Sequence, residues 1–404
     1  MPSVVVVGAS LGGLRAAEQL RAQGFDGAIT VVGAEPHVPY NRPPLSKEAL
    51  SGEHTELEAL VGSLAFRRRA SVDDVDWRLG APSVAASLAD RTVTIAGGEV
   101  LRYDALVVAT GLRPRRLPAV DPAGGRHVVR TAEDAVRLRA EVRPGARAVV
   151  VGGGFIGCET ASTLQSLGCA ATVVEPLPVP MVRGVGREVG AALLAHHRAA
   201  GVGFVTGQGV AELVGAAGRV TGVRLDDGSV LDADIVVESV GSHANVEWLE
   251  GNGLDLSDGL LCDNHLRVEG RPGIVAVGDI ARFPNPRFDD VPRRVEHWSI
   301  PGDTAKRAAE TVAAQLAGTS LPDAAFAPLP AFWSDQFGLR LQSFGAPGLA
   351  DSLEVVDGSL DDIGAGAAVV YRRGGDVVGA LLVNIPVSRH AEYRSLVLSA
   401  GQLV

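Results

Sequence analysis

Cysteine is nearly missing from this chain of 404 residues: Cys158, Cys169 and Cys262 are the three present, and none precedes position 158. Three thiols cannot pair completely, and no CxxC or Cys/His ligand spacing occurs, so neither a disulfide scaffold nor a zinc site is expected. Each is read as a small buried hydrophobe in a reducing, cytoplasmic compartment. Positive charge is in deficit too. The formal net charge is −10, which argues against generic nucleic-acid binding, because that requires a broad basic face able to displace counterions. No apolar run approaches the roughly 18 residues of a membrane span. The opening MPSVVVVGAS lacks a basic n-region and runs straight into a glycine turn, so it reads as a buried strand and not as a signal peptide. A cytoplasmic enzyme without a membrane or nucleic-acid partner is expected.

Glycine, in contrast, is abundant, with 50 residues. At this length two or three domains and a large buried area are expected. The glycines mark an internal duplication. Residues 4–35, VVVVGASLGGLRAAEQLRAQGFDGAITVVGAE, and residues 148–176, AVVVGGGFIGCETASTLQSLGCAATVVEP, each read as strand, phosphate-type turn, helix and second strand. That is the βαβ unit of a parallel sheet. Each copy is closed further on by a β-branched strand, at 103–111 and 232–241. A third strand, 274–277, comes after the second copy is complete and is assigned to the first, which makes the first domain discontinuous. After Gly318 the pattern changes to strands at 341–344, 367–371 and 377–383 and a helix over 389–400. The fold expected is α/β, with two Rossmann-like dinucleotide-binding domains and a C-terminal α+β domain. The segments are 1–112 and 243–319 for the first domain, 113–242 for the second and 320–404 for the third.

In the first copy Gly8, Ser10 and Gly13 occupy the GxGxxG positions, with Leu11 and Gly12 completing the turn and Ser10 replacing the middle glycine. The first glycine permits the tight turn, the small middle residue lets a pyrophosphate approach the backbone, and the third lets helix and strand pack closely. Glu35, at the end of the second strand, supplies an acceptor for a ribose diol. The second copy matches all three glycines, Gly152, Gly154 and Gly157, and ends on Glu175. A carboxylate there repels the 2′-phosphate of NADPH and holds a free 2′-hydroxyl, so NADH is expected.

Six motifs in order, PYNRPPLSK (39–47), ATGLRPR (109–115), GGGFIGCE (152–159), VGD (277–279), VEHW (295–298) and FWSDQF (332–337), cover nearly the whole chain. Together they resemble the FAD-dependent ferredoxin reductases of bacterial cytochrome P450 and aromatic dioxygenase systems. The resemblance implies a glutathione-reductase-like architecture with an FAD domain, an inserted NAD domain and a C-terminal domain. It places Arg42 and Lys47 beside FAD, Ala109, Thr110 and Gly111 in a turn beneath it, and Gly278 and Asp279 at its ribityl chain. Glu296, His297 and Trp298 would lie along the isoalloxazine, with no acid–base role for His297, and Trp333 would close the pocket. Val84 and Arg130 are assigned to cofactor binding on the same grounds. On the NAD side it assigns Phe155, Ile156, Arg183 and Gly241 with the second glycine turn, and it makes Glu159 and Lys47 the pair at the hydride-transfer site.

Disulfide reductases of this architecture carry a CxxxxC pair after the FAD turn, and no cysteine occurs here before Cys158. Electrons are therefore expected to pass from NADH to FAD and to leave singly for a small iron–sulfur protein, a [2Fe–2S] ferredoxin serving a P450 or Rieske oxygenase. Rubredoxin reductase, NADH oxidase or peroxidase, and a scaffold flavoprotein of the apoptosis-inducing-factor type are the alternatives. Arginine clusters at 67–69, 293–294, 340 and 372–373 are candidate local docking patches for an acidic acceptor. Replacing Cys158, Cys169 and Cys262 together by Ser is expected to leave NADH-driven electron transfer nearly intact in a steady-state assay. A large loss in a well-folded variant would reinstate a thiol relay.

Overall fold

Strands of a parallel sheet are covered on both faces, so they are apolar at every position and not at alternate ones. Val4, Val5, Val6 and Val7 are each at most 2% exposed. The computed structural model describes residues 1–118 and 122–400. The expected segments 113–242 and 320–404 therefore contain positions 119–121 and 401–404 that lie outside the described residues.

The chain divides into two compact units. The first comprises Met1–Asn41, Leu64–Arg113 and His243–Ala331. Its sheet runs in the order Ile274–Ala276, Ala105–Val108, Ser3–Val7, Ala28–Val32, Asp76–Arg78, all pairs parallel. Ile274–Ala276 thus joins the first copy of the repeat across the whole intervening segment. Register is flush, with Val7 opposite both Val32 and Val108, and Val108 opposite Ala276. The loops that follow these strands consequently share one edge. The helix Leu11–Ala22 buries Leu14, Ala16, Ala17 and Leu20, and packs against the helix Ile300–Ala317, which buries Ala305, Ala308, Ala309 and Val312. Small side chains on both let the axes approach. The second helix stops at Gly318, whose φ of +67° is the left-handed C-terminal conformation glycine adopts without strain. An antiparallel meander, Ser83–Ser87, Thr92–Ile95 and Val100–Arg102, also belongs to this unit.

The second unit comprises Arg42–Ser63, Pro114–Ser242 and Phe332–Val404. Its parallel sheet has the order Gly203–Thr206, Ala170–Glu175, Arg147–Val151, Ile235–Glu238, Arg126–His127. Four of its strands repeat the order of the first unit, as the duplicated sequence requires; the fifth, Arg126–His127, precedes its copy in the chain, whereas Ile274–Ala276 follows the first. The helix Phe155–Ser166 follows the second glycine turn. C-terminal to it lies a five-stranded sheet, Ala331–Gln336, Leu339–Gly345, Asp376–Val383, Ala367–Arg373 and Ser352–Gly358 in that order, closed by the helix His390–Ala400 on Asp376–Val383. The three strands and the helix expected there are all present, the strands longer by one to three residues and the helix starting at His390.

One buried ionisable group of this unit affects its stability. His197, on the helix Arg187–Ala199, is fully buried with its ring 4.9 Å from that of Phe337 and 5.7 Å from that of Phe204. Burial, helped by the neighbouring His196, pushes its pKa down to about 4 from 6.5. The fold therefore holds it neutral, while the unfolded chain protonates it below pH 6.5. Stability is complete above that pH and is lost as pH falls toward about 4. The contribution reaches on the order of 3 kcal/mol over the full crossing. Denaturant unfolding is expected to show stability declining between pH 7 and 4.5, and His197→Phe is expected to make that decline visibly shallower. Parallel pH profiles for the two proteins would exclude His197 as a source.

Candidate functional site

In the first unit the chain leaves Val7 and turns at Gly8, whose φ is +120°. A Cβ there would stand 2.0 Å from the Ala109 carbonyl oxygen, and one on Gly13 would stand 1.8 Å from that of Gly8. Both positions exclude every other residue, since the helix Leu11–Ala22 starts in contact with the strand end. Ser10 takes the N-cap position, and Leu11, Gly12 and Gly13 follow with N–H groups that have no partner within the helix. This is the geometry that holds an anion at a helix N-terminus.

The flush strand ends put Glu35, Ala109, Thr110, Gly111, Gly278 and Asp279 on the same edge as this turn. Ala109, Thr110 and Gly111 follow the strand Ala105–Val108, with Gly111 at φ +61°. Thr110 Oγ1 donates to the Asn245 carbonyl at 2.7 Å, and Asn245 Nδ2 returns a bond to the Thr110 carbonyl at 3.0 Å. Gly278 and Asp279 follow Ile274–Ala276 in a short 3-10 turn, where the buried Thr304 hydroxyl accepts from the Gly278 N–H at 2.9 Å. Glu35 accepts a 2.5 Å bond from the buried Tyr40 hydroxyl. Glu296 pairs with Arg294 at 2.9 Å, Trp298 is 43% exposed, and loss of water around the His297 ring pushes its pKa down to about 4. Val84 is an exposed residue of the meander strand Ser83–Ser87.

The second unit repeats the turn. Gly152 has φ +103°, and a Cβ on it would lie 2.2 Å from the Ser239 carbonyl oxygen; one on Gly157 would lie 2.0 Å from that of Gly152. At Gly154, the N-cap of Phe155–Ser166, a Cβ would meet no atom within 4 Å beyond its chain neighbours. Open space in front of a helix N-terminus, walled by glycine, fits a pyrophosphate. Glu175 is 8% exposed and closes the side of the turn, where Oε2 accepts from the Gly153 N–H at 2.6 Å and Oε1 from the Leu177 N–H at 2.9 Å. Gly241, at φ +96°, lies in the turn after the adjoining strand Ile235–Glu238. Arg183 is exposed on the short helix Val182–Val185, and this segment is tied to the turn by the Met181 N–H donating to the Gly153 carbonyl at 2.8 Å. Ile156 is 46% exposed, whereas the Phe155 ring packs 4.6 Å from Phe332.

The same unit brings Lys47 and Glu159 together. Lys47 follows the proline-started turn Pro43–Ser46, and its Nζ lies 2.5 Å from Glu159 Oε2, both side chains being largely buried. Ser46 Oγ donates to the same oxygen at 2.6 Å, and Ser334 Oγ donates to Oε1 at 2.5 Å. Buried ions require such pairing and hydrogen bonding to offset their lost hydration. Arg42 Nη1 donates to the Arg130 carbonyl at 2.7 Å, and Trp333 is partly buried on the strand Ala331–Gln336. Sequence reasoning missed Tyr40, Ser46, Asn245 and Ser334. Only Ser334 had a readable signal, because strand alternation through FWSDQ puts it on the same face as Phe332 and Gln336.

All three cysteines are free and buried, and burial pushes each thiol above its ordinary pKa, the opposite of what a nucleophile requires. Among the described residues no group of three or more His, Cys, Asp or Glu side chains is placed to hold a metal, and no helix is long and apolar enough to cross a membrane.

Residues 2–305 match the pyridine nucleotide-disulphide oxidoreductase family and residues 331–403 the reductase C-terminal family. Rhodocoxin reductase of Rhodococcus erythropolis is 35% identical over 89% of this chain and 81% of its own. The ferredoxin–NAD(+) reductase component of an anthranilate 1,2-dioxygenase system from Burkholderia cepacia is 37% identical over 94% of this chain and 90% of its own. Putidaredoxin reductase, in its covalent complex with putidaredoxin, superposes with a TM-score of 0.88 at 32% identity, covering 98% of this chain and 93% of that one. With its two glycine turns and its C-terminal sheet, the chain belongs to the ferredoxin–NAD(+) reductases of the pyridine nucleotide-disulphide oxidoreductase family, oxidoreductases that work with a flavin and NAD(H).

Proposed function

We propose that the chain is an NADH-dependent, FAD-containing reductase that delivers single electrons to a [2Fe–2S] ferredoxin of a P450 or Rieske oxygenase system. The observation that carries this reading is the pair of glycine turns, each at the C-terminal edge of a parallel sheet and each flanked by a carboxylate, in a chain with no cysteine before position 158. When bound, the two cofactors supply hydride transfer and the division of its electron pair. Residues 1–112 and 243–319 would form the FAD domain, 113–242 the NAD domain and 320–404 the C-terminal domain.

The protein's part is binding and orientation. Leu11, Gly12 and Gly13 offer N–H groups to the FAD pyrophosphate, Glu35 takes its ribose, and Thr110, Gly111 and Asp279 line the strand ends beside it; Ala109, Gly278, Val84, Arg42, Arg130, Glu296, His297, Trp298 and Trp333 complete the proposed FAD environment. Gly152, Gly154 and Gly157 admit the NADH pyrophosphate, with Phe155, Ile156, Arg183 and Gly241 around it. Glu175 selects NADH by opposing a 2′-phosphate. Lys47 places a cation and Glu159 its counter-charge at the hydride-transfer site. Three buried free thiols fit a reducing, cytoplasmic compartment. For an acidic acceptor, most of the arginine clusters are already neutralised: Arg293 pairs with Asp289, Arg294 with Asp258 and Glu296, and Arg372 with Glu354. Arg340 is exposed and, like Arg67 and Arg68, has no ion pair among the described residues; its place in the C-terminal domain makes it the preferred docking cation.

Denaturing the purified protein is expected to release one FAD per chain. NADH oxidation is expected to be slow with oxygen alone and fast with an added [2Fe–2S] ferredoxin, with rubredoxin ineffective; fast turnover on oxygen alone would make the chain an oxidase. Glu175→Ala is expected to lower kcat/KM for NADH by about tenfold or more, since it removes the ribose acceptor and leaves two backbone N–H groups unbonded. Discrimination against NADPH should shrink at the same time. A parent protein that prefers NADPH would refute the role given to Glu175.

A further inference from the structure

The strand Ala331–Gln336 alternates as a half-buried strand should, except that its inward face is polar: Phe332, Ser334 and Gln336 are 9%, 0% and 2% exposed. Burying a hydroxyl and an amide is unfavourable unless they are bonded. Gln336 Nε2 donates to Ser334 Oγ at 2.9 Å and to the Met181 sulfur at 3.4 Å. A serine hydroxyl carries one proton. With its oxygen already accepting from Gln336, Ser334 directs that proton to Glu159 Oε1. The chain of donors therefore runs one way, toward the carboxylate.

The strand follows the helix Phe155–Ser166 along one face. Phe332 packs on Phe155, Ser334 bonds Glu159, and the Phe337 N–H donates to Ser162 Oγ at 2.8 Å. Positions 155, 159 and 162 are i, i+4 and i+7, a single helical stripe. Ser334 thus holds one oxygen of Glu159 while Ser46 and Lys47 hold the other. Lys47 Nζ has three protons, of which one goes to Glu159 and one to Ser46 Oγ at 3.1 Å. The third is left for a cofactor.

Resting on the functional reading above, we infer that Ser334 and Gln336 are positioning residues: they fix the rotation of the Glu159 carboxylate, and through it the direction in which Lys47 presents its free proton during hydride transfer. They touch no reacting atom themselves.

The chain contains two lysines, Lys47 and the exposed Lys306, so amine acylation reports on Lys47 with an internal control. In the FAD-loaded enzyme, Ser334→Ala and Gln336→Met are each expected to raise the acetylation rate of Lys47 severalfold by mass spectrometry, with Lys306 unchanged. NAD+ affinity measured by calorimetry should stay near that of the parent, while single-turnover flavin reduction by NADH slows by about tenfold. Ser334→Thr, which keeps the hydroxyl, should recover most of the rate. Unchanged Lys47 acetylation in both variants overturns the inference, and so does flavin reduction at the parental rate. Having two substitutions keeps the test decisive if one protein fails to fold. Failure of the functional reading itself would appear separately, as no flavin reduction by NADH in the unsubstituted enzyme.

Discussion

The constraint on which both turns depend is the approach of a glycine to a carbonyl oxygen so close that an added Cβ would overlap it. Gly13 against Gly8 and Gly157 against Gly152 leave room for a hydrogen atom and nothing larger. That contact seats each helix directly on the end of its strand. The first-turn N–H groups then face outward at the sheet's edge, where the neighbouring strands end flush. The glycine at position 154 and the serine at position 10 differ in size, yet both stand in front of the helix and not between helix and strand. Gly8, Gly13, Gly152 and Gly157 are obligatory, because an added Cβ at each would overlap a carbonyl oxygen.

The two carboxylates that end the second strands have different surroundings. Glu175 accepts from backbone N–H groups of its own glycine turn, and so it shapes the turn as well as facing it. Glu35 is bonded by Tyr40, a side chain from the segment that follows it. A ribose diol bound at either would enter an existing hydrogen-bond set.

The polar cluster at Glu159 has a different origin from the turns. It is assembled from the turn Pro43–Ser46 and Lys47, the helix Phe155–Ser166 and the strand Ala331–Gln336, three segments far apart in the chain. A buried charge in such a place is tolerated because every oxygen has a donor. The arrangement makes the C-terminal sheet part of the same unit as the second glycine turn. The reductase C-terminal segment therefore supplies, through Ser334, one of the hydrogen bonds that hold Glu159, as well as packing.

Sequence by itself determined the duplicated parallel-sheet plan, because doubly buried strands need uninterrupted β-branched runs such as Val4–Val7 and because close helix–strand contact admits only glycine at Gly13 and Gly157. It also determined that Ile274–Ala276 must join the first sheet, since the second copy was already complete. Lys47 and Glu159 were legible only as motif members. What tertiary structure alone decided was the set of donors around them: strand alternation puts Ser334 and Gln336 on one face with Phe332, but nothing in the sequence says that this face meets Glu159, and Ser46 carries no periodic signature at all. The same holds for Asn245 at Thr110. Hydrogen bonds between side chains depend on a few tenths of an ångström in three dimensions, and residues separated by a hundred positions carry no local mark of that proximity.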